Sequence, residues 1–268
     1  MTELSERART ELRAIVEQYA AGEAEVPRTY FASEHTPDEN LDVLLRQMGR
    51  EIQAANRLRV SADMFDKLEA GTERHAFRDY LEHIAEETKH YVILADLAEW
   101  VAGRPLGAEE ARRYEVYPRV VPDQPPEKNT NRLLPEANRM MQVSRDLIEA
   151  LGFERGNEVA RLTEGGGGGA FVVCANLRGD PFRDRLAAAM LEILADEIHH
   201  GPERVDGFAE TWVRNDEDLA TAKTWLRRFM AQHLRVRNEI WNFPLTEGRL
   251  EAIDRGEVAP LEPLREAL

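Results

Sequence analysis

The segments Glu86-Glu87-Thr88-Lys89-His90 and Asp196-Glu197-Ile198-His199-His200 decide how this chain is read. Each holds a Glu followed three residues later by a His, with another acid just before the Glu. Residues three apart share one face of a helix, so both side chains can reach a single ion. Two such pairs facing each other across a bundle, each joined by a Glu from a partner helix, build a two-metal carboxylate site. The motif by itself is weak. With 35 Glu and 7 His in 268 residues, chance alone gives about one Glu-x-x-His, so it counts only through its surroundings.

Those surroundings read as helical throughout. Residues 5–20 form a short amphipathic helix with Leu12, Ile15, Val16 and Tyr19 on one face, followed by an irregular stretch from Gly22 to Pro37. A long helix is expected from Pro37 to Glu69, its stripe made of Leu41, Leu44, Leu45, Met48, Ile52, Ala55 and Leu58. Gly71 ends it, and Thr72 caps the next helix, which runs to about Val101. Residues 104–132 carry five prolines and little periodicity, as a long crossing connection would. A third helical region starts at Leu134-Pro135, and Gly152 leaves open whether it is one helix or two.

Gly179-Asp180-Pro181 is the sharpest punctuation: a helix-ending Gly, an Asp cap and a Pro at the first helical position. A fourth helix follows to about Val213, and a fifth spans Asp216 to about Trp241. The tail from Pro244 is expected to lie over the surface. No repeat and no strand pattern is visible. The expected fold is therefore all-α: one domain over 1–268, with a four-helix bundle at about 38–213, an N-terminal accessory helix, and an accessory C-terminal helix and tail at 214–268.

Composition narrows the function classes. Hydrophobic content of 43% and charged content of 32% fit a folded, helix-rich protein. A net charge of −15 opposes binding to nucleic acid or an anionic membrane by bulk electrostatics. Cys174 is the one cysteine, so an internal disulfide and a Cys-x-x-Cys redox or rubredoxin-type site are excluded. The residues Met1-Thr2-Glu3-Leu4-Ser5-Glu6-Arg7 have no apolar signal core, and no apolar run reaches the roughly 18 residues that a membrane span needs. A cytoplasmic location is the expectation.

Spacing supplies the partner carboxylates. In an antiparallel hairpin, residues equidistant from the turn lie side by side. Counting back from a turn at 69–72 places Glu51 beside Glu87, 36 residues away; counting back from Asp180-Pro181 places Glu164 beside Glu197, 33 residues away. Glu51 shares its stripe with Leu44, Met48, Ala55 and Leu58, and Glu87 and His90 lead into Leu94, Leu97 and Val101. Carboxylates and imidazoles on an apolar stripe are costly unless they are paired or bind metal. A buried ion pair is the competing account for each residue taken singly. Glu164 is followed by five glycines, each costing about 1 kcal/mol relative to Ala inside a helix. They are read as a bare helix that lets a substrate or a neighbouring helix approach, with a linker as the other account and Glu158 as the other candidate ligand.

The pattern Glu51…Glu87-x-x-His90…Glu164…Glu197-x-x-His200, over roughly 38–213, resembles the ferritin-like di-iron carboxylate proteins: ferritins, the small subunit of ribonucleotide reductase and bacterial multicomponent monooxygenases. The resemblance implies that these six residues are metal ligands. It implies that Glu86 and Asp196 stand behind the ligating histidines, orienting them and raising their basicity. His83, one turn before Glu87, is assigned to the same outer layer. Met48, Ala55, Gly167, Gly168, Phe171 and Leu194 are the candidates for a substrate cavity, with ordinary core packing as the competing account. His199, about 100° around the helix from His200, is not expected to bind metal.

Carboxylate-rich sites with only two His suit Fe or Mn. The expected cofactor is two Fe ions, or a Mn/Fe pair. The leading expectation is a di-iron oxygenase or oxidase that uses dioxygen on a small organic substrate and draws electrons from an external ferredoxin or reductase, as a monomer or homodimer. Hydroxylation, epoxidation, N-oxygenation and desaturation all stay open. A ferroxidase or iron-handling protein is the second expectation. A metal-free helical scaffold with buried salt bridges is the third.

Overall fold

The computed structural model describes residues 2–51, 74–115, 131–197 and 202–261, and the described residues are helical, with no strand among them. They divide into two compact units, one formed by residues 35–138 and the other by residues up to 34 together with those from 139 onward. No helix among the described residues is long and apolar enough to cross a membrane.

In the unit of residues 35–138, α1 having ended earlier at Tyr30, the first helix is α2 (Pro37–Glu51). Its start is written in the sequence. The Thr36 hydroxyl accepts from the Glu39 N–H, the Glu39 carboxylate accepts from the Thr36 N–H at 2.8 Å, and Pro37 takes the first helical position. Leu44, Leu45 and Met48 are buried on α2, which packs against α3 (Arg74–Ala102), and the buried residues of α3 include Ile84, His90, Leu94, Leu97 and Ala98. Gly103, at φ +65°, closes α3, and the Leu106 N–H donates back to Glu99 at 2.9 Å. The short helix α4 (Ala108–Ala111) packs on α2. Close approach fixes this corner: a Cβ at Gly49 would lie 1.9 Å from the Tyr114 carbonyl oxygen, so only glycine fits there. Tyr114 donates its hydroxyl to Asp42, and Arg46 lies over its ring at 4.6 Å. The turn expected at 69–72 and most of the proline-rich connection lie outside the described residues.

The other unit is built around α1 (Glu3–Tyr30), which packs against four helices. The expected break at Gly22 does not occur. Gly22 sits inside the helix because a side chain there would strike Ile253, which is fully buried. The helix thus continues to Tyr30, where tertiary packing overrides the local signal, and only residues 31–36 of the stretch marked as irregular are non-helical. The choice that Gly152 left open, one helix or two, resolves to two. With φ +79° it separates α5 (Pro135–Leu151) from α6 (Phe153–Arg161). The unit boundary falls inside α5, after Asn138.

The glycine run is helical, within α7 (Glu164–Ala175), and not a linker. Asp180 caps α8 (Pro181–Glu197), accepting from the Arg183 N–H at 2.9 Å, as its Gly-Asp-Pro signature predicts. The described helices then continue as α9 (Pro202–Trp212), α10 (Asp216–Ile240) and α11 (Glu247–Asp254). The last corrects the expectation of a tail draped over the surface. Thr246 caps α11, while Leu250 and Ile253 bury its apolar side and bring it onto α1.

Polar contacts anchor α1 around this core. Arg13 grips Asp206 of α9 at 2.7 and 2.8 Å, and Arg249 of α11 grips Glu25 at 2.6 and 2.7 Å. At the centre Glu23, fully buried, meets His233 at 2.5 Å and Arg237 at 3.2 Å, both from α10. Arg237 also covers the Phe171 ring of α7 at 5.0 Å.

Candidate metal centre

Three of the six expected ligands meet in the unit of residues 35–138. Glu51 ends the described part of α2; Glu87 and His90 lie one turn apart on α3. Each offers one ligand atom, a carboxylate oxygen or an imidazole nitrogen, and these atoms all lie within 4.8 Å of one another. Among the described residues this is the one group of three or more His, Cys, Asp or Glu side chains arranged so closely. The 36-residue spacing thus pairs Glu51 with Glu87 as counted, although the turn itself is outside the described residues.

The residues fit a cation. Ligands held at about 2.0–2.2 Å from one ion are separated by no more than roughly 4.4 Å, a spacing comparable with the bound within which this group lies. Glu51 and His90 are 8% and 2% exposed, and Glu87 is half-buried. Two carboxylates and a neutral imidazole match the charge of a dication, which makes their shared burial electrostatically reasonable. The oxygen-dominated donor set with one nitrogen suits iron or manganese better than copper(I). Three protein ligands leave room for further ones.

A fourth side chain belongs to this group and was missed in the sequence. Gln47, 5% exposed, donates from Nε2 to Glu51 Oε1 at 2.5 Å. The signal was its position four residues before Glu51, on the same helical face. Met48 is fully buried on α2.

Of the remaining candidates, Glu86 and His83 share this unit, and the others fall in the other unit or outside the described residues. His200, His199 and Ala55 are outside them. Glu164 is the first residue of α7 and Glu197 the last of α8, two helices that pack together as a hairpin. Here the counting changes. Because α7 ends at Ala175, the connection is 176–180 and its middle is residue 178, not the Asp180-Pro181 junction. Glu164 lies 14 residues before that point and Glu197 lies 19 after it. Glu158, the other candidate, is on α6 and accepts from Arg161 at 3.0 Å. Glu86, Asp196 and Glu197 are all half-buried, and His83 lies on α3.

The glycine run shows a local cause. A Cβ at Gly169 would lie 1.9 Å from the Ala20 carbonyl oxygen, so the run serves close approach of α1, one of the two uses expected for it. Gly168 faces no atom within 4 Å. Of the cavity candidates, Phe171 lies under Arg237 and Leu194 is buried in its own unit. Cys174 is a buried core thiol, its acidity suppressed first by burial, with Arg237 opposing only partly.

Comparison of the chain with models of known families, with curated proteins and with solved structures returned no match.

Proposed function

We propose that this chain is a ferritin-like, non-haem di-iron oxygenase or oxidase that activates dioxygen to oxidise a small organic substrate. The observation that carries the reading is the Glu51–Glu87–His90 group, which gathers a buried carboxylate, a half-buried carboxylate and a buried imidazole. Glu164, Glu197 and His200 repeat the same residue types in the same order and are the proposed ligands of a second ion. In each set two carboxylates balance one dication, so neither set would carry net charge into its surroundings.

The chemistry that two iron ions, or iron with manganese, supply when bound there is the two-electron reduction of dioxygen. The chain's own residues do the rest. Glu51, Glu87 and His90 would hold one ion, and the buried Leu44, Met48, Ile84 and Leu94 on the same helices would keep water from it, strengthening each charge interaction. Glu86 beside Glu87 and Asp196 beside Glu197 would orient the ligands. A single buried cysteine offers no cluster or dithiol for electron storage, so a ferredoxin or reductase is the proposed donor.

The test is dioxygen uptake by the ferrous-loaded full chain. The account predicts uptake with an absorbance change that a small organic substrate alters. Absence of uptake contradicts it. Uptake indifferent to organic molecules, together with large spherical assemblies, would assign the chain to iron storage.

A further inference from the structure

We infer that Gln47 is a positioning residue that holds the Glu51 carboxylate ready for a cation. The inference rests on the metal reading above and adds a residue that the ligand pattern does not contain. Gln47 and Glu51 are both buried, one turn apart on α2, and Gln47 Nε2 lies 2.5 Å from Glu51 Oε1.

Three physical features make this more than a satisfied core amide. First, the donor and acceptor lie one turn apart on the same helix, so the contact is made within α2. Second, the donor is neutral. An Arg or Lys in its place would fix the carboxylate equally well but cancel the charge that attracts a cation; the amide orients Glu51 and leaves its charge intact. Third, the hydrogen bond engages Oε1 of the same carboxylate that contributes a ligand atom to the group with Glu87 and His90. A carboxylate can bind in one- or two-oxygen modes, and a donor fixed on one oxygen biases it toward binding through the other. Hydrogen-bonding partners behind metal ligands change affinity by about ten- to a hundredfold when they are removed.

Co2+ titration of the full chain tests this, comparing wild type with Gln47→Leu and the near-isosteric Gln47→Met. Far-UV circular dichroism checks the helical fold, and the visible d–d absorption of bound Co2+ reports the coordination geometry. Both variants are expected to stay helical, to bind Co2+ about ten- to a hundredfold more weakly, and to show displaced or weakened d–d bands. A purely structural glutamine would lower thermal stability while leaving affinity and spectrum alone. Affinity within twofold of wild type with superimposable bands in either variant overturns the inference. Failure of the wild type itself to bind Co2+ is a separate result, which overturns the metal reading and this inference with it.

Discussion

Gly169 and Ala20 hold two helices in backbone contact: a Cβ on residue 169 would come to 1.9 Å from the Ala20 carbonyl oxygen. Five consecutive glycines sacrifice about 1 kcal/mol each in helical preference, and the approach of α1 to α7 accounts for at least this one. Gly169→Ala is therefore expected to lower unfolding stability by about 1–3 kcal/mol through overpacking. Gly168, with nothing within 4 Å, is the internal control; Ala there should be neutral or stabilising by up to about 1 kcal/mol. Urea unfolding midpoints of the two variants check the contrast, and equal midpoints would refute it.

The Glu23–His233–Arg237 group makes a prediction about acid. Burial alone would raise the Glu23 carboxyl, but His233 and Arg237 overcome that and hold it at about 2, below its usual 4.5. A carboxylate lowered on folding stabilises fully above its unfolded value, and that contribution is lost as pH falls from about 4.5 toward 2. At pH 7, Glu23→Gln should cost about 3–5 kcal/mol, because Arg237 keeps its buried charge and loses this counter-charge. Denaturant titrations of wild type and variant at pH 7 and pH 3 should show the gap narrowing in acid. A gap that stays constant or widens would contradict the assignment.

The third-helix ligand is decided by two substitutions. Glu158 is engaged with Arg161 on its own helix, so Glu158→Ala is expected to leave metal content unchanged. Glu164→Ala should lower it by about one ion per chain if Glu164 is a ligand of the second ion. Metal analysis of both purified variants reads the answer, and the reverse pattern would move the ligand to Glu158.

What was legible in the sequence followed from local chemistry. Pro37 and Asp180-Pro181 announced their helix starts because the first helical turn depends on neighbours in the chain. Glu87 and His90 could be joined by helical spacing, and Glu51 could be added by counting across a turn. What stayed hidden depended on distant residues. Gly22 looked like a break because nothing near it in sequence reveals Ile253, the side chain that requires a glycine inside α1. Leu250 and Ile253 gave too short an apolar pattern to reveal that α11 docks on α1. Gln47 resembled any polar residue until its contact with Glu51 was seen. The count from Glu164 to Glu197 took its turn at the strongest punctuation mark, whereas α7 ends five residues earlier, at Ala175.

Iron counting tests the central claim most directly. Full-length chain is loaded with Fe2+ without oxygen, freed of excess metal and assayed for iron per chain, beside His90→Ala and Glu51→Ala. The account predicts about two iron ions in the wild type and a loss of at least one in each variant, with helical circular dichroism retained. No stoichiometric iron in the wild type, or full occupancy in both variants, would contradict it.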